Sequence, residues 1–342
     1  MGFDAMFFGR MDAEELGERI HNKEMEWIQR PASQSLGNEV GILFHVMNDV
    51  YNSPGGFCFD ITCGDPTFQT DPTMYDTYDA DREAEILDGY FTDLQGNFVE
   101  AGSDLFQVFG MDFRMMDAWK NYRNLDSMIE YMNKKYPEKW HLQYATPSNY
   151  IDAIAAMNRT WPIKTDDLFP YQSSPSCYWT GYFSSRANNK AQVRQGSSNL
   201  HAANSIYKTL LLDKNLDQEL ADQILAAKSN MLDQLGIYQH HDAVSGTAKQ
   251  AVTNDYSARL SEAMAQNNKA QSSAFNFLIG QPSNFTNWEL CERTNGTYLD
   301  CPISHYNLTE GSQVVLSIHN PSYLVATTAK IALPHPHFTV EW

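Results

Sequence analysis

The sequence predicts an α/β fold, a parallel sheet or β/α barrel, followed by a helical bundle and then the start of an all-β domain. Three observations carry that order. Short apolar runs alternate with amphipathic helical stretches through the first half, which argues for βαβ units. Helical periodicity takes over from His201. After Gly280 the composition turns to Asn, Thr, Gly and β-branched residues. The expected divisions are 1–165, 166–279 and 280–342, and a chain of 342 residues with 42% hydrophobic content can bury cores of that size.

Residues 5–8 are a strand closing at Gly9-Arg10, and helical spacing holds from Asp12 to Trp27. An apolar, strand-rich run spans 40–51. The stretch 79–94 is an amphipathic helix opened by Asp79 and ended near Gly96. Residues 104–110 read as a buried strand, 125–134 as a helix and 140–144 as another strand. Thr146-Pro-Ser-Asn then caps a helix running to Met157. Residues 161–200, rich in Pro, Ser, Tyr and Trp, predict irregular structure. Helices follow over 205–212, 217–235 and 245–277, the middle one stopping at Gly236 as its closing glycine. Strands are expected at 313–319 and 326–333.

Charge narrows the partners. With 24 basic against 42 acidic residues the net charge is −18, which argues against nucleic acid on a basic face and against anionic membrane. No apolar run approaches the roughly 18 residues of a membrane span. The first residues lack the basic and apolar regions of a signal peptide and open on a strand, so the chain reads as a piece of something longer. Cys58 and Cys63 are five apart and Cys291 and Cys301 ten apart, while Cys177 is left without a role. Reduced core thiols are one reading. The sequons at Asn158, Asn284, Asn295 and Asn307 favour the other, a secretory-pathway protein with disulfides Cys58–Cys63 and Cys291–Cys301.

Four segments could carry chemistry. Tyr238-Gln-His-His-Asp-Ala-Val-Ser-Gly-Thr247 falls in a turn between two helices. Adjacent histidines point in different directions, so at most one is expected to bind a given metal, with Asp242 beside it able to grip a sugar hydroxyl. The alternative is a helix cap built on Ser245 and Thr247. Asp112 follows the 104–110 strand, where α/β folds present catalytic groups, and the rings of Phe109 and Phe113 would disfavour its ionised form. It could equally be a helix cap or a partner for Arg114. Arg10 could hold a carboxylate in a site or form a surface salt bridge. Trp179, in an aromatic cluster, could floor a hexose or belong to the core.

In order, Gly2-Phe-Asp-Ala-Met-Phe-Phe-Gly-Arg, Phe109-Gly-Met-Asp-Phe, Asp166-Asp-Leu-Phe-Pro-Tyr, Trp179-Thr-Gly-Tyr-Phe-Ser-Ser-Arg and Gln239-His-His-Asp-Ala-Val-Ser-Gly-Thr resemble the α-mannosidases of glycoside hydrolase family 38, most nearly the lysosomal type. The resemblance implies a retaining exo-α-mannosidase with one Zn²⁺, acting on terminal α-mannose of N-linked glycans in glycoprotein catabolism. It implies that His241 is a zinc ligand and Asp112 the general acid/base. Arg10, Asp242, Trp179 and Phe59 are implied at the substrate, although some members carry a tyrosine where Phe59 stands. Met111 also departs from the small or acidic residue of other members.

The family's His-x-Asp pair and nucleophilic aspartate, three of its four zinc ligands, belong to a segment preceding the one that opens this chain. The catalytic domain is therefore expected to be incomplete, its nucleophile absent and the chain inactive alone. A rival reading is a catalytically dead mannose-binding or scaffolding glycoprotein that keeps Trp179 and Asp242. Expected partners are mannose-containing N-glycans, the remaining segments of a processed chain, and a second copy in a homodimer. The expected location is the lysosome, with the extracellular space and Golgi lumen as alternatives.

Overall fold

The computed structural model describes residues 2–32, 37, 40–98, 102–280, 288–293, 299–306, 308–322 and 328. The chain divides into two compact units, Met1–Thr180 and Gly181–Trp342. The first is mixed α/β with a small sheet, and the second is chiefly helical.

In the first unit β1 (Ala5–Phe8) runs parallel to β3 (Ile42–Val46), with Ala5 opposite Leu43 and Phe8 opposite Val46. β2 (Glu26–Gln29) lies antiparallel on the other side of β3, and β4 (Ile163–Lys164) adds in parallel to β2. The sheet order is β1-β3-β2-β4, so the sheet is mixed where a parallel one was expected.

The cause lies in α1 (Ala13–Asn22). The Asp12 carboxylate caps its start, accepting from the Glu14 and Glu15 N–H groups at 3.0 and 3.1 Å. Lys23, at φ 61°, ends it well short of Trp27. A period of two then takes over. Met25 and Trp27 are 1% and 0% exposed and pack with Phe44 and Val46, while Glu26 between them faces the other side and pairs with His45. Arg19 lies 3.6 Å from the centroid of the Trp27 ring.

Glu26 anchors a buried charged cluster. Its carboxylate accepts a hydrogen bond from the Tyr150 hydroxyl, meets His45 Nδ1 at 3.2 Å and pairs with Arg159 Nη1 at 3.5 Å. The side chains of Glu26, His45 and Arg159 are each 1% exposed.

A second core forms between α2 (Ala80–Gln95) and α3 (Ala118–Lys135), where Leu87, Met128 and Met132 meet Phe57, Phe59 and Phe68. α4 (Pro147–Ala156) begins at the expected cap: Asn149 N–H donates to Thr146 Oγ1 at 3.2 Å, and Thr146 N–H to Asn149 Oδ1 at 3.0 Å. Two expected strands do not form. At 104–110, Gln107 donates to the Asn52 carbonyl at 3.2 Å, and Gly110 N–H donates to Ser53 Oγ at 2.9 Å, so polar groups there turn to a loop rather than to a neighbouring strand. At 140–144, the Asn133 side chain both donates to and accepts from Leu142 backbone, at 2.9 and 2.7 Å, and stands in for a strand partner. A short hairpin, β5 (Gln172–Ser174) with β6 (Cys177–Tyr178), follows.

The second unit is built on α5 (Ala187–Leu211), α6 (Gln218–Tyr238) and α7 (Gln250–Ile279). Residues 187–200, expected to be irregular, are the first half of α5. Their local propensity is weak, but Val193 and Leu200 are buried, and a side chain at Gly196 would meet Leu260 and Leu235 at 3.2 and 3.3 Å. α6 runs through Gly236 to the buried Tyr238, whose hydroxyl accepts a 2.8 Å hydrogen bond from Asn189 Nδ2. α7 begins at Gln250, five residues later than expected.

Cys58 is bonded to Cys63 and Cys291 to Cys301, which frames the two-residue strands β7 (Glu292–Arg293) and β8 (Leu299–Asp300); Cys177 is free and exposed. Residues 313–319 form no strand, and of 326–333 only 328 is described. Asn158 is exposed, whereas Asn284, Asn295 and Asn307 lie outside the described residues. Among the described residues no helix is long and apolar enough to cross a membrane.

Candidate functional site

Two of the expected site residues meet in the first unit. The Arg10 guanidinium lies 5.4 Å from the centroid of the Trp179 ring. Trp179 is 44% exposed, so it is no core residue. Its Nε1–H donates to Ser173 Oγ at 3.0 Å and its ring meets that of Tyr171 edge-on at 5.4 Å, which fixes its plane. Among the described residues no carboxylate pairs with Arg10, so the surface salt bridge is not formed.

Asp112 sits in a pinned loop. Before it, Ser53 grips Gly110 from both sides, accepting from its N–H and donating its own N–H to its carbonyl at 3.0 Å. After it, Thr62 Oγ1 donates to the Phe113 carbonyl at 3.1 Å, and Arg114 donates to the Thr62 carbonyl. Phe113 holds φ 60°, a strained value for a phenyl-bearing residue. Asp112 itself is exposed, with the Tyr51 hydroxyl 3.4 Å from Oδ2. The apolar enclosure expected of it is absent, since Phe113 is 86% exposed. Nor does Asp112 cap α3: Asp117 does, accepting from Lys120 N–H at 3.0 Å.

Phe59, expected at the sugar, packs in the core, 4% exposed and edge-on to Phe57. Its neighbour Asp60 does the work that the sequence reading missed. The Asp60 side chain is fully buried and accepts from the N–H groups of Met116 at 2.8 Å, Asp117 at 3.1 Å and Thr62 at 3.4 Å, and from Asn121 Nδ2 at 2.8 Å. Burial pushes its carboxyl up, but the donors from Asp117, Asn121, Met116 and Thr62 outweigh it and hold the pKa at about 2. Asp60 thereby ties the Cys58–Cys63 loop to the start of α3 and closes the far side of the Asp112 loop.

A carboxyl lowered in the folded state adds stability that is present above its unfolded pKa and is lost as pH falls toward the folded one. The expected window is from about pH 4 down to about pH 2. Wild type should therefore exceed Asp60→Asn clearly in urea midpoint near pH 5, with the gap shrinking at low pH. A gap that stays constant from pH 5 to 2.5 would contradict this assignment.

The His-His-Asp segment lies in the second unit, in the turn between α6 and α7. The histidines do not diverge as expected: their ring centroids are 4.3 Å apart, and His240 Nε2 and His241 Nε2 lie 3.6 and 3.4 Å from the same Asp242 Oδ2. One ligand atom from each residue falls within 4.8 Å of the others. Thr247 Oγ1 donates to Asp242 Oδ1 at 2.5 Å and, with the nearby histidines, holds that carboxyl below its usual range. Ser245 Oγ donates to the His241 carbonyl. These hydroxyls serve the turn and not the helix, since the N-cap of α7 is Lys249 and no side chain caps it. Two accessible imidazoles and a carboxylate are the donor types that a zinc-class ion takes, so the residues fit such an ion.

The first unit is mixed α/β and carries exposed acidic and aromatic groups, and the second is helical and carries an imidazole–carboxylate cluster. Residues 1–174 match the family described as Glycosyl hydrolases family 38 N-terminal domain, and residues 177–278 match Alpha mannosidase middle domain. The chain belongs to glycosyl hydrolase family 38. It is 34% identical to the lysosomal alpha-mannosidase of Dictyostelium discoideum over 99% of this chain and 33% of that protein. It is 33% identical to the Homo sapiens lysosomal alpha-mannosidase over 89% of this chain and 29% of the relative, and 30% identical to the alpha-mannosidase of Canavalia ensiformis over 94% and 32%. The chain thus spans about a third of the length of the curated relatives it matches. The crystal structure of an alpha-mannosidase from Enterococcus faecalis V583 shares the fold, with TM-score 0.50 and 12% identity over 82% of this chain and 30% of that one.

Proposed function

We propose that this chain contributes to a retaining, zinc-dependent exo-α-mannosidase that removes terminal α-mannose from N-linked glycans in the lysosome during glycoprotein catabolism. The observation that carries the reading is the convergence of His240, His241 and Asp242 in a turn held between two helices. The lysosomal relatives and the net charge of −18 support the location. In this reading 1–165 belongs to the catalytic domain, 166–279 is the middle domain and 280–342 opens a β domain.

His241 would hold the metal and Asp242 would accept a hydrogen bond from a sugar hydroxyl. When bound, Zn²⁺ supplies Lewis-acid polarisation of an oxygen at the reacting sugar. Trp179 offers an exposed ring face to the C–H face of a hexose, and Arg10 beside it offers a guanidinium to a carboxylate. Asp112 donates a proton to the departing glycosidic oxygen and later takes one from water. The nucleophile is assigned to no carboxylate of this chain.

The test is mannose release from terminal α-mannosides by a form of the protein that turns them over, read by NMR for anomeric configuration and repeated after chelation. Retention of configuration, loss of activity on chelation and its return with Zn²⁺ are expected. Inversion, or activity indifferent both to chelation and to His241→Ala, would overturn the reading.

A further inference from the structure

The turn that presents His240, His241 and Asp242 is gripped by the start of α5 and the two residues before it. Lys190 Nζ donates to three backbone carbonyls, those of Ser185 and Val244 at 2.7 Å each and of Ser245 at 3.0 Å. Ser185 Oγ donates to the Gly246 carbonyl at 3.1 Å, and Arg186 Nη2 to that of Ala248 at 3.0 Å. Carbonyls of residues 244, 245, 246 and 248 are thus all taken by one helix start. An ammonium has three donors, and all three of Lys190's are used across two chain segments, as charge-assisted bonds that hold those segments together. The approach is as close as glycine allows: Gly246 holds φ +83°, and a Cβ there would lie 2.5 Å from the Ser185 carbonyl oxygen.

From these residues the restraint passes to the site. Ser245, held by Lys190 through its carbonyl, donates its hydroxyl to the His241 carbonyl. Thr247, between the gripped residues 246 and 248, donates to Asp242 Oδ1. Its N–H and that of Ala248 donate to the Asp242 carbonyl at 3.1 and 2.9 Å.

We propose that Lys190, supported by Ser185, is a positioning residue that fixes His241 and Asp242 in the orientation that binds metal and sugar. The proposal rests on the reading of that turn given above. Lys190 falls in the 161–200 stretch predicted to be irregular, and two of its three partners lie 54 and 55 residues away, so local sequence does not mark it.

Lys190→Met keeps the aliphatic stem and removes the three donors. In the 342-residue chain it should speed amide hydrogen exchange across residues 241–248 while leaving the middle of α6 and α7 protected. It should also weaken Zn²⁺ binding by calorimetry about 10–100-fold, the usual loss when a group supporting a metal ligand is removed. Ser185→Ala should move both readouts in the same direction by less, and it keeps the test open should Lys190→Met fold poorly. Leu210→Ala, in the core of the same bundle and 1% exposed, should lower the melting temperature without moving either readout, which separates positioning from mere stability.

Unchanged exchange over 241–248 in Lys190→Met would overturn the proposal. So would Zn²⁺ affinity within twofold of wild type while His241→Ala abolishes it. Should wild type and His241→Ala bind Zn²⁺ alike, the metal reading fails; should neither bind, measurable affinity needs the ligands expected from the preceding segment. Lys190 is then judged on hydrogen exchange alone: faster exchange upholds its grip on the turn, and unchanged exchange overturns it.

Discussion

Asp112→Asn is expected to lower kcat/KM for an alkyl or glycan α-mannoside by about 10²–10⁴-fold, the range lost with a general acid/base. The experiment requires a form of the protein that turns mannosides over. The loss should be much smaller for an aryl mannoside with a strongly acidic leaving group, because such a group departs without a proton. The structure supports this role through rigidity rather than enclosure. Ser53 holds Gly110, Thr62 holds Phe113, and Asp60 holds Met116 and Asp117, so the carboxylate projects from a loop fixed on both sides. The asparagine is nearly isosteric and can still accept from Tyr51, so folding should be unaffected. Equal losses for both leaving groups would show that Asp112 binds sugar without transferring a proton. A loss below about tenfold would remove it from catalysis altogether.

Glu26→Ala is expected to cost about 3–5 kcal/mol of stability, the penalty of breaking a buried ion pair from one side. Arg159 would lose the Glu26 carboxylate, and the Tyr150 hydroxyl would lose its acceptor. Burial and the neighbouring carboxylate also push the Tyr150 phenol well above its usual range, so its proton stays in place to donate to Glu26. At about 2–4 °C per kcal/mol for a domain of this size, the melting temperature should drop by on the order of 10 °C. Glu26→Gln, which retains an acceptor for Tyr150, should lose less. A loss under about 1 kcal/mol for Glu26→Ala would mean that water relieves the cluster.

Elements with short-range causes were legible. α4 follows from the reciprocal bonds of Thr146 and Asn149, and α2 from an apolar stripe that buries Ala80, Ala84, Leu87 and Phe91. Residues 12–27 satisfied a helical period, yet Met25, Trp27 and Glu26 also satisfy a period of two. Only the neighbouring β3, which buries Trp27 on one face and pairs His45 with Glu26 on the other, selects the strand. Residues 104–110 have the composition of a strand, but a strand needs a partner edge, and composition cannot supply one. Residues 187–200 have weak helical propensity and become helix because Gly196 lets α5 approach Leu235 and Leu260.

The site divides along the same line. Residue types and their order determined by themselves that this chain carries family 38 motifs, which residues are chemically able, and that His240, His241 and Asp242 share a turn between helices. Tertiary structure alone decided that both imidazoles converge on one carboxylate oxygen, that Phe59 is core, that Trp179 is open beside Arg10, and that Asp60 and Lys190 grip the loops bearing Asp112 and His241. The physical reason is range. Caps, turns and periodicity act within about four residues and are written in the local sequence, whereas a buried carboxylate or ammonium takes its meaning from donors and acceptors that only folding brings within 3 Å.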